Sequence, residues 1–395
     1  MSTLKPRIES IDLLKGLVIV IMAIDHVRDY FHFSSYFFDP TDPLRTTVPI
    51  FATRFITNFC APAFSFLAGT SAFIVGRRKS LTELSSFLIK RGLWLIFIEL
   101  VVIGFGWHFD IHFYEILFQV IWVLGLSMIF LAGLIHLPRT VIFIFSVTVI
   151  FGHNLLDGVH ADGNVLWMFL HERNYIEVAG HIVRVSYGAI PWVAVMSLGY
   201  YFGQFYDTSF DAPVRRKLFS RIGIACLVCF AVVRGTNVYG NLLPWEHHHT
   251  FLQTTFSFFS ITKYPPSLSY LLITLGAAFL FLAHTEHLSA GTATLGNRIV
   301  SFFCTFGRVP FFFYIINIYV IHLIAMLAAE LTGFGWRAMI LPLMPFRMTE
   351  LRGFGFDLIT VYAIWAGIIV LLYPLCRWFD AYKQKNKHKA WLSYL

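Results

Sequence analysis

What most constrains this chain is a series of long apolar runs separated by short charged gaps. Ten runs can be drawn: 13–30, 49–76, 92–107, 118–135, 141–154, 190–206, 222–239, 268–283, 309–330 and 358–376. A membrane-crossing helix needs about 20 predominantly apolar residues, so ten crossings consume about 200 residues. The remainder of the 395 supplies loops and termini but no separate soluble domain. The sequence therefore predicts an all-α polytopic membrane protein, a bundle of about ten transmembrane helices forming one integral domain over residues 1–395. Composition agrees: 57% of residues are hydrophobic and only 13% charged, with a mean hydropathy of +0.69. That is about half the charge of a soluble domain, too little to cover a water-facing surface. The runs are continuous rather than alternating, which excludes a membrane barrel. The fifth run is short, and 298–307 reads as a re-entrant or interfacial piece.

The net charge of +8 raises nucleic acid as a partner, but the basic residues lie in small clusters between apolar runs, the pattern that sets membrane orientation. With the N-terminus in the cytoplasm, 20 of the 30 Lys and Arg fall on that side, among them Lys5, Arg7, Arg78, Arg216 and Lys387. Both termini are thus expected to be cytoplasmic, in the inner (plasma) membrane. Ten of the 16 histidines sort to the outer loops. The first run carries Asp25 and His26 and has no small-residue cleavage site, so no cleavable signal peptide is expected. The five cysteines all lie in or beside apolar segments, and Cys226-x-x-Cys229 reads as packing.

Ionisable groups inside spans are costly and mark functional sites by default. At 1.5 Å per residue, His26 and His322 each lie roughly 20 Å along outward-running helices, and Arg234 roughly 18 Å. Arg54 enters the same level from outside. These four groups are expected to converge in the outer half of the membrane. The densest chemistry is Asp25-His26-Val27-Arg28-Asp29, where Asp25 and Asp29 share a face. His26 is the group suited to taking and returning a proton near neutral pH. Lys15 lies on its face, eleven residues earlier and nearer the cytoplasm. Glu99 and Asn317 are weaker candidates. His247-His248-His249 resembles a metal grip, but adjacent loop residues seldom close a site, and no metal is expected.

The segment RIESIDLLKG (7–16), the apolar run after it and Asp25-His26-Val27-Arg28-Asp29 resemble the bacterial branch of the family related to heparan-alpha-glucosaminide N-acetyltransferase. The resemblance continues through TRFITNFCAPAFSFLAGTSAF (53–73), QVIWVLGLSMI (119–129), KYPPSLSYLLITLG (263–276) and FGRVPFFFYIINIYVIH (306–322). The spacing of Lys15 and His26 is also similar to a basic-to-histidine signature of the wider membrane acyltransferase group. The resemblance implies ten or eleven helices, often dimeric, and transfer of an acetyl group from cytoplasmic acetyl-CoA to a sugar amine or hydroxyl on the opposite face. The eukaryotic heparan enzyme departs from this pattern, with its essential histidine further along than the end of span one, so the resemblance also implies His32 as a competing catalytic position. A sugar other than heparan is the expected acceptor.

These expectations assemble into a mechanism. Acetyl-CoA phosphates meet Lys15, Arg77, Arg78, Lys79, Lys90, Arg91 and Arg308. His26 acts as general base, with Asp25 and Asp29 beside it, while Arg54, Asn58 or Arg234 stabilises the oxyanion. A covalent acetyl-histidine is the other route, and His322 belongs to the same polar level. Trp107, Trp167 and Trp245 offer faces for sugar stacking or belt anchoring. The rival reading is a proton-coupled transporter using the buried Asp, His and Arg groups, against which no matching pair of broken helices appears in the two halves.

Overall fold

The computed structural model describes residues 8–160, 163–207, 209–288, 290–291 and 293–393. Lys5 and Arg7 of the predicted cytoplasmic set lie outside them. In chain order the helices are α1 (Glu9–Phe31), α2 (Val48–Thr57), α3 (Cys60–Gly76), α4 (Leu81–Ile98), α5 (Gly104–His108), α6 (Val120–Leu134), α7 (Arg139–Gly152), α8 (Val165–Leu170) and α9 (Ala189–Phe202). They continue with α10 (Ala212–Thr236), α11 (Phe251–Phe259), α12 (Leu268–Thr285), α13 (Leu295–Arg308), α14 (Pro310–Leu331) and α15 (Leu358–Lys385). The protein is an all-α polytopic membrane protein. Among the described residues, six helical stretches are long and apolar enough to cross a bilayer: Val48–Gly76, Arg139–Leu156, Ala212–Thr236, Leu268–Thr285, Pro310–Leu331 and Leu358–Lys385. Helices also cover the other four expected runs, but α1, though continuous, carries charged residues along its length, 92–107 is divided by a π-helical turn, and α6 and α9 are shorter. Length and composition therefore support six crossings, not the full ten.

The boundaries follow local chemistry. Ser80 and Glu83 form a reciprocal capping box, so α4 begins eleven residues before the expected span. Lys90 and Arg91, expected in a loop, thus lie well inside a helix. A π-helical turn, Glu99–Ile103, joins α4 to α5. Its Glu99 carboxylate accepts from the backbone N–H groups of Ile121 (2.7 Å) and Trp122 (3.0 Å). A carboxylate at the start of α6 satisfies donors that a helix N-terminus leaves open.

Glycines set how closely the helices approach. A Cβ on Gly69 of α3 would lie 1.9 Å from the Met196 carbonyl oxygen, and one on Gly199 of α9 would lie 1.9 Å from that of Phe66. The two backbones touch, as small residues permit in membrane bundles. Gly16 and Gly307 do the same for α1 and α13, where a Cβ on Gly307 would sit 1.7 Å from the Asp12 carbonyl oxygen. The segment 298–307, read as re-entrant or interfacial, is therefore part of a regular helix docked along α1, with Val300, Cys304 and Gly307 buried.

One end of the bundle carries the long connections. Three short strands form there, β1 (Glu115–Phe118), β2 (Asn174–Val178) and β3 (His181–Val185), in the order β1-β3-β2. β1 is parallel to β3 and β2 antiparallel to it. The hairpin turns at Ala179 and Gly180, both with positive φ (51° and 82°), as a tight hairpin requires. This sheet was not expected from the sequence. The Glu115 side chain fastens it, pairing with Arg184 Nε at 2.5 Å and His108 Nε2 at 3.4 Å and accepting from the Met344 N–H at 2.9 Å. Burial alone would raise the Glu115 pKa, but the bonds from His108 and Arg184 outweigh it and hold the carboxyl below its usual range.

Candidate active site

Two cavities lie end to end along α1. The larger, about 460 Å³, opens among the long connections and is lined by Asp25, His26, Arg28, Asp29, Arg54, Trp107, Arg173, Lys263, Tyr264 and others; it is called outer, and its neighbour inner, after the topology expected from the sequence. The inner one, about 180 Å³, is mostly apolar, with Lys15 and Arg91 on its wall. Met22, Phe64, Val120 and Tyr314 line both and so form the partition. Lys15, Ile19, Met22, His26 and Asp29 follow helical spacing along one face of α1. One helix face thus runs from a lysine through an apolar partition to a histidine.

At the outer cavity the ionic groups pair closely. Arg54 Nη1 is 2.8 Å from Asp25 Oδ2, Arg28 Nη1 is 2.8 Å from Asp25 Oδ1, and Arg28 Nη2 is 2.9 Å from Asp29 Oδ1. Two carboxylates and two guanidiniums make this cluster neutral. Over the whole lining, five basic residues (Arg28, Arg54, Arg173, Lys263, Arg352) face three acidic ones (Asp25, Asp29, Asp39), an excess of two positive charges. His26 is 8% exposed. Its ring meets Trp107 edge-on at 5.0 Å and Tyr314 at 5.7 Å. Its Nδ1 lies 3.2 Å from Asn317 Nδ2. A half-turn of that amide exchanges its nitrogen and oxygen, so the pair accommodates either neutral tautomer of the ring.

Other residues of the expected polar level are turned elsewhere. His322 is fully buried, with Nδ1 2.9 Å from the Gly106 carbonyl oxygen, Nε2 2.7 Å from that of Met339, and Phe109 stacked at 4.0 Å. Arg234 donates to the carbonyls of Leu243, Ser257, Phe258 and Ser260, gathering the end of α11. Asn58 is buried with its carbonyl accepting from Tyr270; Thr57, its neighbour, lines the cavity instead. The expected four-way convergence therefore reduces to His26 and Arg54, because apparent depth along a helix does not fix the face.

His32 is buried beyond the end of α1, with Nδ1 2.6 Å from Ser34 Oγ, and is not part of either cavity lining. Burial, and then the charge of Arg28, push its pKa down to about 4, against the opposing charge of Asp357. The folded state then binds fewer protons than the unfolded one between about pH 4 and 6.5, so stability is lost as pH falls through that window. Thermal unfolding in detergent should show this: His32→Gln is expected to flatten the acid-side loss of stability seen in the wild type between those values.

Of the residues expected to hold a nucleotide, Lys15 and Arg91 line the inner cavity, and Lys15 Nζ donates to Ser71 Oγ at 2.8 Å. Lys79 and Arg91 flank the ring of Phe87, at 5.7 and 6.0 Å. Arg77 pairs with Asp207 at 3.0 Å and Arg308 with Asp380 at 2.6 Å, and Arg78 is exposed nearby. Trp107 lines the outer cavity, whereas Trp167 and Trp245 donate to the carbonyls of Val159 and Arg234. Sequence reading missed Arg173, Lys263 and Tyr264, which reach the cavity from connections that carry no spacing signal. The Lys263 and Tyr264 pair did lie in a stretch carrying the family resemblance.

The family model described as "Heparan-alpha-glucosaminide N-acetyltransferase, catalytic" matches residues 7–230. No curated protein matches the chain.

Proposed function

Because the chain belongs to the heparan-alpha-glucosaminide N-acetyltransferase catalytic family, we propose that it carries an acetyl group from acetyl-CoA to a sugar amine or hydroxyl across the membrane. The observation that carries this reading is the single face of α1 that lines both cavities, with Lys15 in the inner one and His26 in the outer one. In this reading the whole of 1–395 is one catalytic unit in the inner membrane, with both termini cytoplasmic and a homodimer as its assembly. Lys15 and Arg91, with Arg77, Arg78, Lys79 and Arg308 around them, attract the phosphates of the donor. The apolar inner cavity suits the pantetheine arm, and the thioester reaches the partition.

The acceptor enters from the outer side. With the Asn317 amide oxygen accepting from His26 Nδ1, Nε2 is the basic nitrogen. It takes the proton of the acceptor amine or hydroxyl as that atom attacks the thioester carbonyl carbon. Arg54 and Lys263 supply positive charge for the oxyanion. The tetrahedral intermediate collapses, the C–S bond breaks, and His26 returns the proton to the departing CoA thiolate. Asp25 and Asp29 hold Arg28 and Arg54 in place and balance their charge. The two extra positive charges of the lining favour an acceptor bearing a carboxylate or phosphate.

The direct experiment reconstitutes purified protein in vesicles with radiolabelled acetyl-CoA on the Lys15 side and amino sugars on the other. Label appearing on the sugar supports the reading. Movement of solute without acetyl-CoA consumption would replace it by transport. Two further outcomes are expected. Replacing both Lys15 and Arg91 by glutamine should weaken acetyl-CoA binding about tenfold or more, since each removes a charge-assisted bond, as read by calorimetry. In a background lacking native cysteines, cysteine at positions 42 and 248 should react with an impermeant thiol reagent in intact cells, and cysteine at 78, 216 and 387 should not.

A further inference from the structure

Outside the cavities, three potential metal ligands meet where α7 ends. His153 and Asp157 are four residues apart across a 3-10 turn, and His171 closes α8. Their ligand atoms all lie within 4.8 Å of one another. His171 Nε2 is 2.9 Å from Asp157 Oδ1, and the His153 and His171 rings are 5.9 Å apart. His153 is only 2% exposed, yet neither ring nitrogen has a hydrogen-bond partner among the described residues; His171 Nδ1 has none either. An imidazole buried with both nitrogens unserved is unusual, because buried polar groups are almost always satisfied. A cation between the three side chains would serve it.

We propose that His153, Asp157 and His171 bind one zinc ion. Two imidazoles and a carboxylate with a position left for water are a zinc-type set, whereas magnesium and calcium favour oxygen ligands. Zinc bonds of about 2.0 to 2.2 Å require the three side chains to close by about 1 Å, which rotamer adjustments supply. The support expected around such a site is present. Asn154 Nδ2 donates to Asp157 Oδ2 at 2.8 Å, which turns Oδ1 toward the histidines, and Asn154 Oδ1 accepts from the Leu268 N–H at 2.8 Å. The ion would join the end of α7, the start of α12 and the connection that begins at His171. That connection carries Arg173, Ser186 and Tyr187 into the wall of the outer cavity. The zinc is thus a brace for the acceptor side of the site and touches no reacting atom. No sequence spacing joins these residues, since His153 and His171 are separated by 18 positions, and the run His247-His248-His249, which resembles a metal grip in sequence, forms no metal-sized cluster among the described residues.

The test uses full-length protein purified without a histidine tag and stripped with a chelator. Zinc titrated against a competing chelator should fill one tight site per chain, and magnesium should not displace it. Cobalt in its place should give visible d–d absorption. His153→Ala and His171→Ala should each lower zinc affinity about 100-fold or more and abolish the cobalt spectrum; Asp157→Asn, which preserves shape, should weaken it as well. Joint alanine replacement of His247, His248 and His249 should change neither. Lack of saturable zinc binding by the wild type overturns the proposal. So does binding that survives His153→Ala or disappears only with the His247 to His249 variant.

Discussion

His26→Ala is expected to fold, to bind acetyl-CoA with wild-type affinity, and to lose acetyl transfer by about 10² to 10⁴, the usual cost of removing a positioned general base. The ring packs against Trp107 and Tyr314 and makes one side-chain hydrogen bond, to Asn317. Its loss leaves the Asp25–Arg28–Arg54 cluster intact, and Lys15 and Arg91 keep the inner cavity unchanged. His32→Ala supplies the contrast. It opens no route to either cavity, so transfer per folded molecule should be preserved while stability changes. His322→Ala and Arg234→Ala should behave like His32→Ala, only more severely, since the first removes a ring held between the Gly106 and Met339 carbonyls and the second leaves four carbonyls without their donor. Measuring detergent-resistant folding and transfer for all four variants separates the roles. Near-normal transfer by His26→Ala would remove the histidine from the reaction.

Gly69→Ala is expected to prevent folding, or to destabilise the protein by at least about 3 kcal/mol, the upper range for overpacking a core. The added carbon would fall 1.9 Å from the Met196 carbonyl oxygen and 2.7 Å from the Tyr200 nitrogen. Both are backbone atoms of α9, so no side chain can swing away, and the helices must separate. Gly152→Ala is the control: nothing lies within 4 Å of its added carbon, and it should be neutral or mildly stabilising. Fluorescence-detected gel filtration after a heat ramp distinguishes the two. Unchanged thermal stability of Gly69→Ala would mean that α3 and α9 are not in contact.

The sequence disclosed the bundle because hydrophobicity over a long run is a one-dimensional property. It also disclosed the face of α1, since 1.5 Å and 3.6 residues per turn place Lys15 and His26 on one line without knowledge of neighbours. It misjudged Arg234 and His322 for the complementary reason. Depth follows from counting, but direction depends on which helix lies alongside, and α11 and α5 claim those side chains. Arg173 and Lys263 were missed because they stand in irregular connections, where no periodicity carries information. The three strands escaped notice for a related reason: with only 4 to 5 residues each, they lean on long-range pairing and on one buried carboxylate, Glu115.

The partition of Met22, Phe64, Val120 and Tyr314 has an electrical consequence. A potential of 100 mV across a bilayer is worth about 2.3 kcal/mol per elementary charge, normally spread over about 30 Å of hydrocarbon. Where cavities enter from both ends, that drop gathers on the few side chains between them. These four residues are then the insulator of the protein, and they stand under the steepest field in it. In the proposed reaction the group that passes this layer is an uncharged acetyl, which crosses without electrical work, while phosphates and sugar charges stay on their own sides. Such a transfer also requires that the chain not become a wire. Trimming Met22 and Phe64 to alanine would therefore show first as a leak of current, whatever it did to catalysis.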